Sequence, residues 1–465
     1  EHFMSKVGSE SNPLRVAIIG SGPAGFYTVS NFLKQTDLTV EMDMFERLPT
    51  PFGLVRAGVA PDHQKYKTVT RAYDKSAQHS SFRFFGNVEY GTDITLEDLK
   101  DHYHQIMFAT GAPSDRNLGI PGEELTGSHS ATDFVAWYNG HPDCTDFKFD
   151  LSQESVAVIG LGNVAIDVAR ILCKTDAELA STDMADYALD ALRESNVKNV
   201  YVLGRRGPAQ AAFTPPEIKE MGELEDADVF VPVDEATLDP ASQAELDASG
   251  DKNVKKNVAV IEEFSQRTER DNSRHLTIRF LVSPTELIGE NGAVSAIKIV
   301  KNEAYADENG GVKARATDQE EIIPVGMVFR SVGYRGAPVA EVPFDDYNGT
   351  IQNTEGRITD DDKNPLTGMY VAGWIKRGPT GVIGTNKTDA QETVNHMAED
   401  ARAGAVFEPT KSAEDVVSLL SARKPDVITY SDWNKIDEHE LSNGAASDRP
   451  RVKLTNIEDM LAVLN

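Results

Sequence analysis

Two short apolar runs, each stopped by glycines and followed by a helical pattern, dominate the order of hydrophobic and polar positions in the chain. In the first, residues 16–19 predict a strand buried on both faces, and apolar positions recur at helical spacing over 26–33. Between them, Gly20, Gly22 and Gly25 have the spacing G-x-G-x-x-G. Such a strand–turn–helix places a pyrophosphate on the free N–H groups at the start of the helix. A glycine turn without any ligand is the alternative.

A carboxylate follows the next predicted strand. Residues 40–45 form a second strand and Glu46 comes directly after it. An acid at this place accepts hydrogen bonds from the hydroxyls of an unmodified adenosine ribose. A polar helix over about 64–77 and strands over 83–90 and 105–111 complete the unit. We expect five strands and two crossover helices by about residue 114.

The second apolar run repeats the first fingerprint with one change. Residues 156–159 predict another buried strand, which ends at Gly160 and Gly162. The third position holds Ala165, which gives the G-x-G-x-x-A form of the dinucleotide fingerprint. An amphipathic helical pattern follows, and the acidic stretch 173–198 is predicted to be a mostly helical insertion.

The next strand of this second unit is followed by basic residues, whereas the corresponding strand of the first unit is followed by an acid. Residues 199–204 predict a strand that is followed by Arg205 and Arg206 instead of an acid. A guanidinium pair binds a 2′-phosphate through two-pronged, charge-assisted hydrogen bonds. An exposed arginine pair without a ligand is the alternative. Acid in one unit and arginines in the other predict FAD in the first and NADPH in the second.

The stretch 48–67 interrupts the first unit. Its three prolines and two glycines predict a stiff, irregular loop and neither a helix nor a strand. The apolar Leu54, Val55 and Val59 would be unusual on a solvated loop, so we expect this segment to line a cofactor, with a flavin ring as the candidate. His63 follows, and a capping or surface role for it remains an equal alternative.

Weaker patterns place the remaining elements. We predict strands near 276–283, 294–300, 327–333 and 369–373, a turn over 378–384 that feeds a helix beginning near Thr385, and helices near 412–423 and 455–464.

Composition limits the class of protein. The 465 residues are enough for two or more domains, and a hydrophobic content of 40% without a long apolar run excludes a membrane span. There are 46 Lys and Arg against 74 Asp and Glu, a formal net charge of −28 that argues against nucleic acid or an anionic membrane as a partner.

The cysteines point to a reducing compartment. Cys144 and Cys173 form neither a C-x-x-C pair nor a set of cluster ligands. We therefore expect a cytoplasmic protein with no metal site, and we interpret residues 1–3 as a remnant ahead of a native Met4.

Five motifs together resemble one family. They are G-S-G-P-A-G, P-F-G-L-V-R-A-G-V-A-P-D-H, G-N-V-A-I-D, G-R-R-G-P and W-I-K-R-G-P-T-G-V-I-G-T-N-K. These motifs resemble the adrenodoxin reductase family, the NADPH–ferredoxin reductases of the glutathione-reductase-like fold, and the actinobacterial members most of all. The similarity runs from about residue 14 to residue 465.

The resemblance implies specific site residues beyond the glycines. It implies FAD contacts at Ala24, Glu46, Leu54, Val88, Trp374, Gly381, Val382 and Ile383. It implies NADP contacts at Arg116, Asn163, Val164, Arg205, Arg206, Glu217 and Gly381. It places His63 beside the flavin as a catalytic residue, with Asp167 and Glu220 as the acidic residues near it.

The expected fold is α/β, with two Rossmann-like dinucleotide-binding domains and the NADP domain inserted into the FAD domain. The first part of the FAD domain would cover 1–114, the NADP domain 115–331 and the second part of the FAD domain 332–465.

The expected function is an NADPH–ferredoxin oxidoreductase, of the kind that can feed cytochrome P450 systems. NADPH would give a hydride to FAD, and single electrons would pass to an iron–sulfur ferredoxin. A diaphorase-like enzyme with a quinone or other small acceptor is the first alternative, and a redox-sensing module without turnover is the second. The sequence leaves open whether the protein is a monomer or a homodimer.

One window of the acidic chain, from about residue 252 to residue 279, is basic. As a docking surface it would attract an acidic ferredoxin and orient the encounter, although a solvated face is an equal alternative. The predicted docking residues are Lys252, Lys255, Lys256, Arg267, Arg270 and Arg274.

Overall fold

The strand Leu14–Ile19 is apolar throughout because both of its faces are covered. Val16 and Ile18 pack into the core on one side of a sheet, whereas Ala17 and Ile19 pack into the core on the other side. Successive side chains of a strand point to opposite faces, so a strand covered on both faces needs an unbroken apolar run. The computed structural model describes residues 6–465, and the predicted remnant at 1–3 lies outside that range.

The first sheet has seven strands, of which five are parallel. Leu14–Ile19 lies at its centre, where Val16 is in register with Met42 on one side and with Gln105 on the other. Two short strands add to one edge in antiparallel fashion. The order across the sheet is Asn353–Thr354, Arg357–Thr359, Pro365–Val371, Gln105–Phe108, Leu14–Ile19, Val40–Glu46 and Phe82–Gly86.

The second sheet has six strands, all parallel. The strand Ser155–Ile159 lies within it, and one large core of buried side chains covers the helical side. The order is Ser128–Ser130, Met327–Arg330, Ser155–Ile159, Asn199–Leu203, Arg274–Arg279 and Ala227–Phe230. The fold-class prediction of two Rossmann-like units is therefore confirmed.

The chain crosses between the two sheets twice, and the crossings pair with each other. Ser114–Asp115 on the way out forms an antiparallel ribbon with Tyr334–Arg335 on the way back. The Asp115 carboxylate also accepts a hydrogen bond from Arg330 at 2.8 Å. The second unit is thus inserted into the first at one narrow double connection.

Helices cover the sheets and connect their strands. The α-helices are Pro23–Phe32, Leu54–Ala57, Gln64–Lys67, Thr70–Ala77, Leu96–His102, Ala131–Tyr138, Asn163–Cys173, Asp176–Ala180, Asp186–Arg193, Pro215–Glu220, Val233–Ala236, Pro240–Ser249, Lys252–Ser265, Trp374–Arg377, Thr385–Ala403, Ala413–Arg423, Tyr430–Ala445 and Ile457–Ala462. Short 3₁₀ helices lie at Pro142–Cys144 and Pro208–Gln210. None of the helices in the described part of the chain is both long and apolar enough to cross a membrane.

Three predictions about the first unit were wrong. Only four strands of its sheet come before residue 114, because the fifth parallel strand, Pro365–Val371, arrives from the other end of the chain. The strand predicted over 83–90 ends at Gly86, since Asn87 takes a φ of +59° that turns the backbone out of the sheet. The segment 48–67 is not wholly irregular, because one single-turn helix forms between Pro51 and Pro61 and a second one follows Pro61.

The sequence also missed elements further along. A three-stranded antiparallel sheet consists of Val282–Glu290, Ala293–Ala306 and Val312–Pro324, where only parts of two strands were expected. A break at Leu281, with a φ of +54°, separates this sheet from the strand Arg274–Arg279, so the strand predicted over 276–283 is in fact two. Another small ribbon pairs Phe344–Asp345 with Thr350–Ile351.

Candidate active site and cofactor cavity

The first glycine turn has the geometry of a phosphate cradle. Gly20 has a φ of +105°, and a Cβ there would lie 2.4 Å from the carbonyl oxygen of Ala109. A Cβ at Gly25 would lie 2.3 Å from the carbonyl oxygen of Gly20, so the helix can pack this closely only with glycine. A Cβ at Gly22 would meet nothing within 4 Å, since that position faces open space at the start of Pro23–Phe32. The three positions have the three roles that the fingerprint requires for a bound pyrophosphate.

Glu46 stands at the end of its strand and faces the same space. Its Oε2 accepts hydrogen bonds from the amide and the hydroxyl of Ser21 at 3.1 and 2.6 Å, and its Oε1 accepts one from the Leu48 amide at 3.0 Å. These bonds tie the carboxylate to the glycine turn. An ionised carboxylate has about four lone-pair positions, so acceptor capacity remains for a ribose hydroxyl.

The second glycine turn repeats the cradle. Gly160 has a φ of +142°, and a Cβ there would lie 2.2 Å from the carbonyl oxygen of Ser331. Gly162 again faces open space, and Ala165 is fully buried where the helix Asn163–Cys173 packs against the sheet.

Arg205 and Arg206 are exposed at the end of Asn199–Leu203. Their backbone is fixed, because the Arg205 carbonyl accepts from the Asn302 side chain at 2.9 Å and the Arg206 carbonyl accepts from the Leu281 amide at 3.1 Å. Neither guanidinium forms an ion pair within residues 6–465. Two unpaired guanidinium groups that extend from a fixed backbone fit an anionic ligand.

One cavity of about 2860 Å³ joins the two turns. Ordinary pockets for a single ligand measure roughly 300–1,000 Å³, so this one has room for two dinucleotides. The structure places nearly all the predicted site residues on its wall: Gly20, Gly22, Ala24, Glu46, Leu54, His63, Val88, Arg116, Gly160, Gly162, Asn163, Val164, Asp167, Arg205, Arg206, Glu217, Trp374, Gly381, Val382 and Ile383. Two predicted residues do not line the cavity. Gly25 faces its strand, and Glu220 contacts His63, which does line the cavity.

The wall opposite the first turn is built by the segment after Pro365–Val371. The Trp374 indole nitrogen donates to the Thr380 carbonyl at 3.2 Å, and its ring lies 5.1 Å from that of Tyr334. Gly381 takes a φ of +80°, and Val382 is left 57% exposed on the cavity wall. The helix Thr385–Ala403 begins at this turn, close to the start predicted from the sequence. An aromatic ring and apolar side chains here suit a flat heterocycle such as a flavin.

The three predicted catalytic residues meet at the boundary of the two units. His63 comes from the first unit, and its Nε2 lies 2.7 Å from a Glu220 oxygen. On the other side of the ring, Nδ1 lies 3.9 Å from Asp167 and 3.6 Å from Glu217. The three acids belong to the second unit, so the cluster exists only where the units pack together.

A buried arginine organises these acids. Arg170 is 1% exposed, and its guanidinium lies 2.8 Å from Asp167 and 3.3 Å from Glu217. It also binds Asp62, next to His63, through two hydrogen bonds of 2.8 and 3.0 Å. The donor atoms of His63, Asp167 and Glu217 lie within 4.8 Å of one another, a spacing that a metal ion could bridge. In this structure the Arg170 guanidinium supplies the positive charge beside Asp167 and Glu217.

Burial and charge shift the acids in different directions. Burial, with the nearby Asp167, raises the pKa of Glu217 to about 7, and burial likewise raises the pKa of Asp167. Burial opposes ionisation of Glu220, but its hydrogen bond to His63 and the charges of His63 and Arg170 together lower its pKa. For His63, burial lowers the pKa, but the Glu220 hydrogen bond and the charges of Glu217 and Asp62 together outweigh burial, so the net shift is upward. The site therefore favours a protonated His63 paired with an ionised Glu220.

Sequence reasoning missed Asp62, Arg170 and Lys174. The Lys174 amine lies 3.4 Å from Asp62 and completes the charge network. A signal for Arg170 was present, because it falls on the buried face of an amphipathic helix, three residues after Asp167. A cation on an apolar stripe needs a carboxylate partner, which makes it a marker for a buried charge cluster.

The chain has close relatives along its whole length. The pyridine nucleotide-disulphide oxidoreductase family profile matches residues 14–206. The NADPH-ferredoxin reductase FprA of Mycobacterium tuberculosis is 45% identical over 460 residues, which cover 97% of this chain and 99% of FprA. The chain belongs to the adrenodoxin reductase family.

Other adrenodoxin reductase family members agree with this assignment. The mitochondrial NADPH:adrenodoxin oxidoreductase of Arabidopsis thaliana is 40% identical over 98% of this chain and 96% of its own length. The structure of Mycobacterium tuberculosis FprA in complex with NADPH superposes with a TM-score of 0.91 at 43% identity and covers 97% of this chain and 99% of FprA. The resemblance stated from the motifs is thereby confirmed.

Proposed function

We propose that this chain is an NADPH–ferredoxin oxidoreductase that moves a hydride from NADPH to bound FAD and then delivers single electrons to an iron–sulfur ferredoxin. The observation that carries this proposal is the shared cavity, which joins a glycine cradle with Glu46 at its strand end to a second cradle with Arg205 and Arg206 at its strand end. FAD and NADPH are the cofactors of the family to which the chain belongs. Full-length relatives are named NADPH-ferredoxin reductase and NADPH:adrenodoxin oxidoreductase.

The first cradle would hold FAD. Gly20, Gly22 and the N–H groups of the following helix would bind its pyrophosphate, and Glu46 would accept from its ribose. Bound FAD supplies the chemistry of accepting a hydride and releasing electrons one at a time. The remaining residues that we propose around it are Ala24, Gly25, Leu54, Val88, Trp374, Gly381, Val382 and Ile383, of which all but Gly25 line the cavity.

The second cradle would hold NADPH. Arg205 and Arg206 would bind its 2′-phosphate, and Gly160 and Gly162 would admit its pyrophosphate. Asn163 is fixed for this role, because its side-chain oxygen accepts from the Thr214 amide at 2.9 Å. Arg116, Val164, Glu217 and Gly381 complete the proposed set.

We propose that His63 holds a proton beside the flavin, with Glu220 and Asp167 as its acidic partners. The 2.7 Å hydrogen bond to Glu220 fixes the ring and stabilises its charged form. Such a cation stabilises negative charge that develops next to it, and the His63 ring keeps its proton while it does so. The role of the chain is thus to align the two cofactors and to set the local field, and the cofactors carry the redox chemistry.

We propose domain boundaries at 114 and 331, with the segments 1–114 and 332–465 forming the FAD domain. The paired crossing of Ser114–Asp115 with Tyr334–Arg335 supports these boundaries, since the chain leaves and re-enters the first sheet there. A cytoplasmic location stays a prediction that rests on the free thiols Cys144 and Cys173.

We further propose that ferredoxin docks against the basic window of the second unit. Not all six predicted residues offer a free charge: Arg267 pairs with Glu263 at 2.8 Å, and Arg274 pairs with Asp226 at 3.5 Å. Arg270 lies over the Phe230 ring. Lys252, Lys255 and Lys256 are exposed in the first turns of Lys252–Ser265 and have no ion pair within the described residues. A positive charge in the first turn is unfavourable because the N-terminal end of the helix dipole is also positive. An anionic partner would therefore stabilise these three lysines the most.

The test of the proposed function is ferredoxin-dependent reduction of cytochrome c. With NADPH and the protein holding FAD, added ferredoxin should accelerate cytochrome c reduction in proportion to its concentration until it saturates. Rapid quinone reduction with no response to any of several ferredoxins would instead support the diaphorase-like alternative. Bound FAD and NADPH with turnover on neither acceptor would support a sensing module.

A further inference from the structure

One face of the helix Lys252–Ser265 looks into the cofactor cavity. Asn253, Lys256 and Val260 follow one another at helical spacing, and all three line the cavity. The adjacent stripe, with Asn257, Ile261 and Phe264, is buried in the second unit. Lys252 and Lys255 lie on the same turns but not on the cavity wall. The basic window is therefore divided between two surfaces.

The helix is anchored beside the arginine pair. It packs on the short helix Pro208–Gln210, which begins two residues after Arg206. The Asn257 side chain donates to the Phe213 carbonyl at 2.8 Å, and this bond is buried. Asn257 directly follows Lys256, so the bond fixes the backbone from which Lys256 extends.

The ammonium group of Lys256 has no counter-charge. It is exposed, and it forms no ion pair and no hydrogen bond within residues 6–465. Farther along the window the situation differs, because Arg279 is held by Glu235 and Glu321 at 2.9 Å each. A lysine on the wall of a cavity that already presents two unpaired arginines adds a third positive charge to that cavity, on a helix that packs beside the arginine pair.

We infer that Lys256 is a third cation for the 2′-phosphate of NADPH and thus a determinant of coenzyme specificity. The inference rests on the proposed function and deepens it. A phosphomonoester carries nearly two negative charges and three acceptor oxygens at neutral pH. Two guanidinium forks orient it, and a mobile ammonium group neutralises the remaining charge. NADH lacks this phosphate and gains nothing from Lys256.

The test compares K256Q with K435Q, a change at a lysine that is 58% exposed and does not line the cavity. Ferricyanide serves as the acceptor, so that ferredoxin docking does not enter the rate. We expect kcat/KM for NADPH to fall about tenfold in K256Q through KM, with kcat and the NADH efficiency unchanged. K435Q should match the unmodified protein, and K256R should recover most of the loss. In calorimetry on the protein holding FAD, adenosine 2′,5′-bisphosphate should bind about tenfold more weakly to K256Q, and adenosine 5′-monophosphate should bind equally to both.

Each other outcome has a distinct meaning. If K256Q and K435Q keep the same NADPH preference as the unmodified protein, the inference is wrong and the proposed function stands. If K256Q instead slows only ferredoxin reduction, Lys256 belongs to the docking surface and the inference is again wrong. If the unmodified protein uses NADPH and NADH equally well and does not bind adenosine 2′,5′-bisphosphate, the proposed coenzyme itself fails.

Discussion

At the residue scale, the chemistry of single strand ends was predictable, and the chemistry of the buried cluster was not. Glu46 and Arg205 each follow a recognisable strand in a fixed motif, so sequence spacing alone places them. Glu217 owes its raised pKa to burial and to Asp167, which is distant in sequence and lies near it only in the folded chain. A pKa that is set by tertiary neighbours leaves no local pattern to read.

Glu217 should make the stability of the protein depend on pH near neutrality. Its pKa is about 7 in the folded protein against an ordinary 4.5, so the folded state binds the proton more tightly. This contribution to the free energy of unfolding is fully present below about pH 4.5 and is lost as the pH rises through about 7. E217Q keeps the shape of the side chain and removes the proton equilibrium. Between about pH 5 and about pH 8, urea unfolding should therefore show a steeper loss of stability in the unmodified protein than in E217Q.

Neighbouring groups do not reverse this expectation. The pKa of Asp62 and that of Glu220 are lowered, by Arg170 and by His63 respectively against the effect of burial, so their contributions change on the acidic side. His63 titrates in both proteins. Parallel stability curves for the two proteins would contradict the raised pKa of Glu217.

At the scale of elements, two of those that the sequence missed have buried positions or exposed faces that carry little hydrophobic signal. The helix Tyr430–Ala445 buries Trp433 and Ile436, but its next two buried positions are Glu440 and Gly444. Half of its stripe therefore carries no hydrophobic signal. The strand Val312–Pro324 was missed for a related reason, because most of its side chains are exposed on both faces and do not alternate.

The missed helix holds a C-terminal strap, residues 449–454, between the two units. The Arg449 side chain donates to the Thr182 carbonyl at 2.9 Å in the second unit. Lys453 is buried, and its ammonium group donates to the carbonyls of Arg56 at 2.8 Å and Asn139 at 3.1 Å. The strap thereby connects the segment 48–67, which contains Arg56, to the inserted unit, which contains Asn139.

Removal of the Lys453 charge should therefore destabilise the protein. K453M leaves two buried carbonyls without their donor and removes a cation 3.9 Å from the buried Asp183. Lys67 still pairs with Asp183 at 2.7 Å, which limits the loss to roughly 2–4 kcal/mol of unfolding free energy. The matched change K435M, at a side chain that is 58% exposed on the helix before the strap, should cost at most about 1 kcal/mol. Equal losses in urea unfolding would show that the strap contributes no special stability.

At the scale of the whole molecule, the sequence predicted both nucleotide-binding units and their order but not how they face each other. His63 and its acidic partners come from different units, and only the packing of the two sheets brings them together. The same holds for the shared cavity, whose walls are drawn from nearly the full length of the chain. Local motifs specify the cradles, whereas their relative orientation depends on long-range contacts.

The net charge of −28 gives a prediction about docking. An acidic ferredoxin is repelled by a protein with this net charge. We therefore expect the two lysines Lys252 and Lys255 to have a large effect on the rate of ferredoxin reduction. The double change K252E/K255E should slow ferredoxin reduction at low salt severalfold, with a smaller deficit as ionic strength rises. Stopped-flow reduction of ferredoxin by the NADPH-reduced protein measures this directly.

The control has the same net charge. K313E/K435E alters two lysines that are 61% and 58% exposed elsewhere on the surface, and it should slow ferredoxin reduction much less. Ferricyanide reduction should be the same in both variants. A similar deficit in the two variants would mean that only the overall charge matters and that the basic window is not the docking surface.

The most direct test of the central claim, that one cavity holds FAD at the acid-ended cradle and NADPH at the arginine-ended cradle, is an anaerobic titration followed by flavin absorbance. The purified protein should contain one FAD per chain, and NADPH should bleach it at least about a hundredfold more efficiently than NADH. Most of that preference should disappear in R205Q/R206Q, and oxidised ferredoxin should restore the flavin band of the unmodified protein. A protein that takes up no FAD, or one that NADH reduces as efficiently as NADPH, would contradict the account.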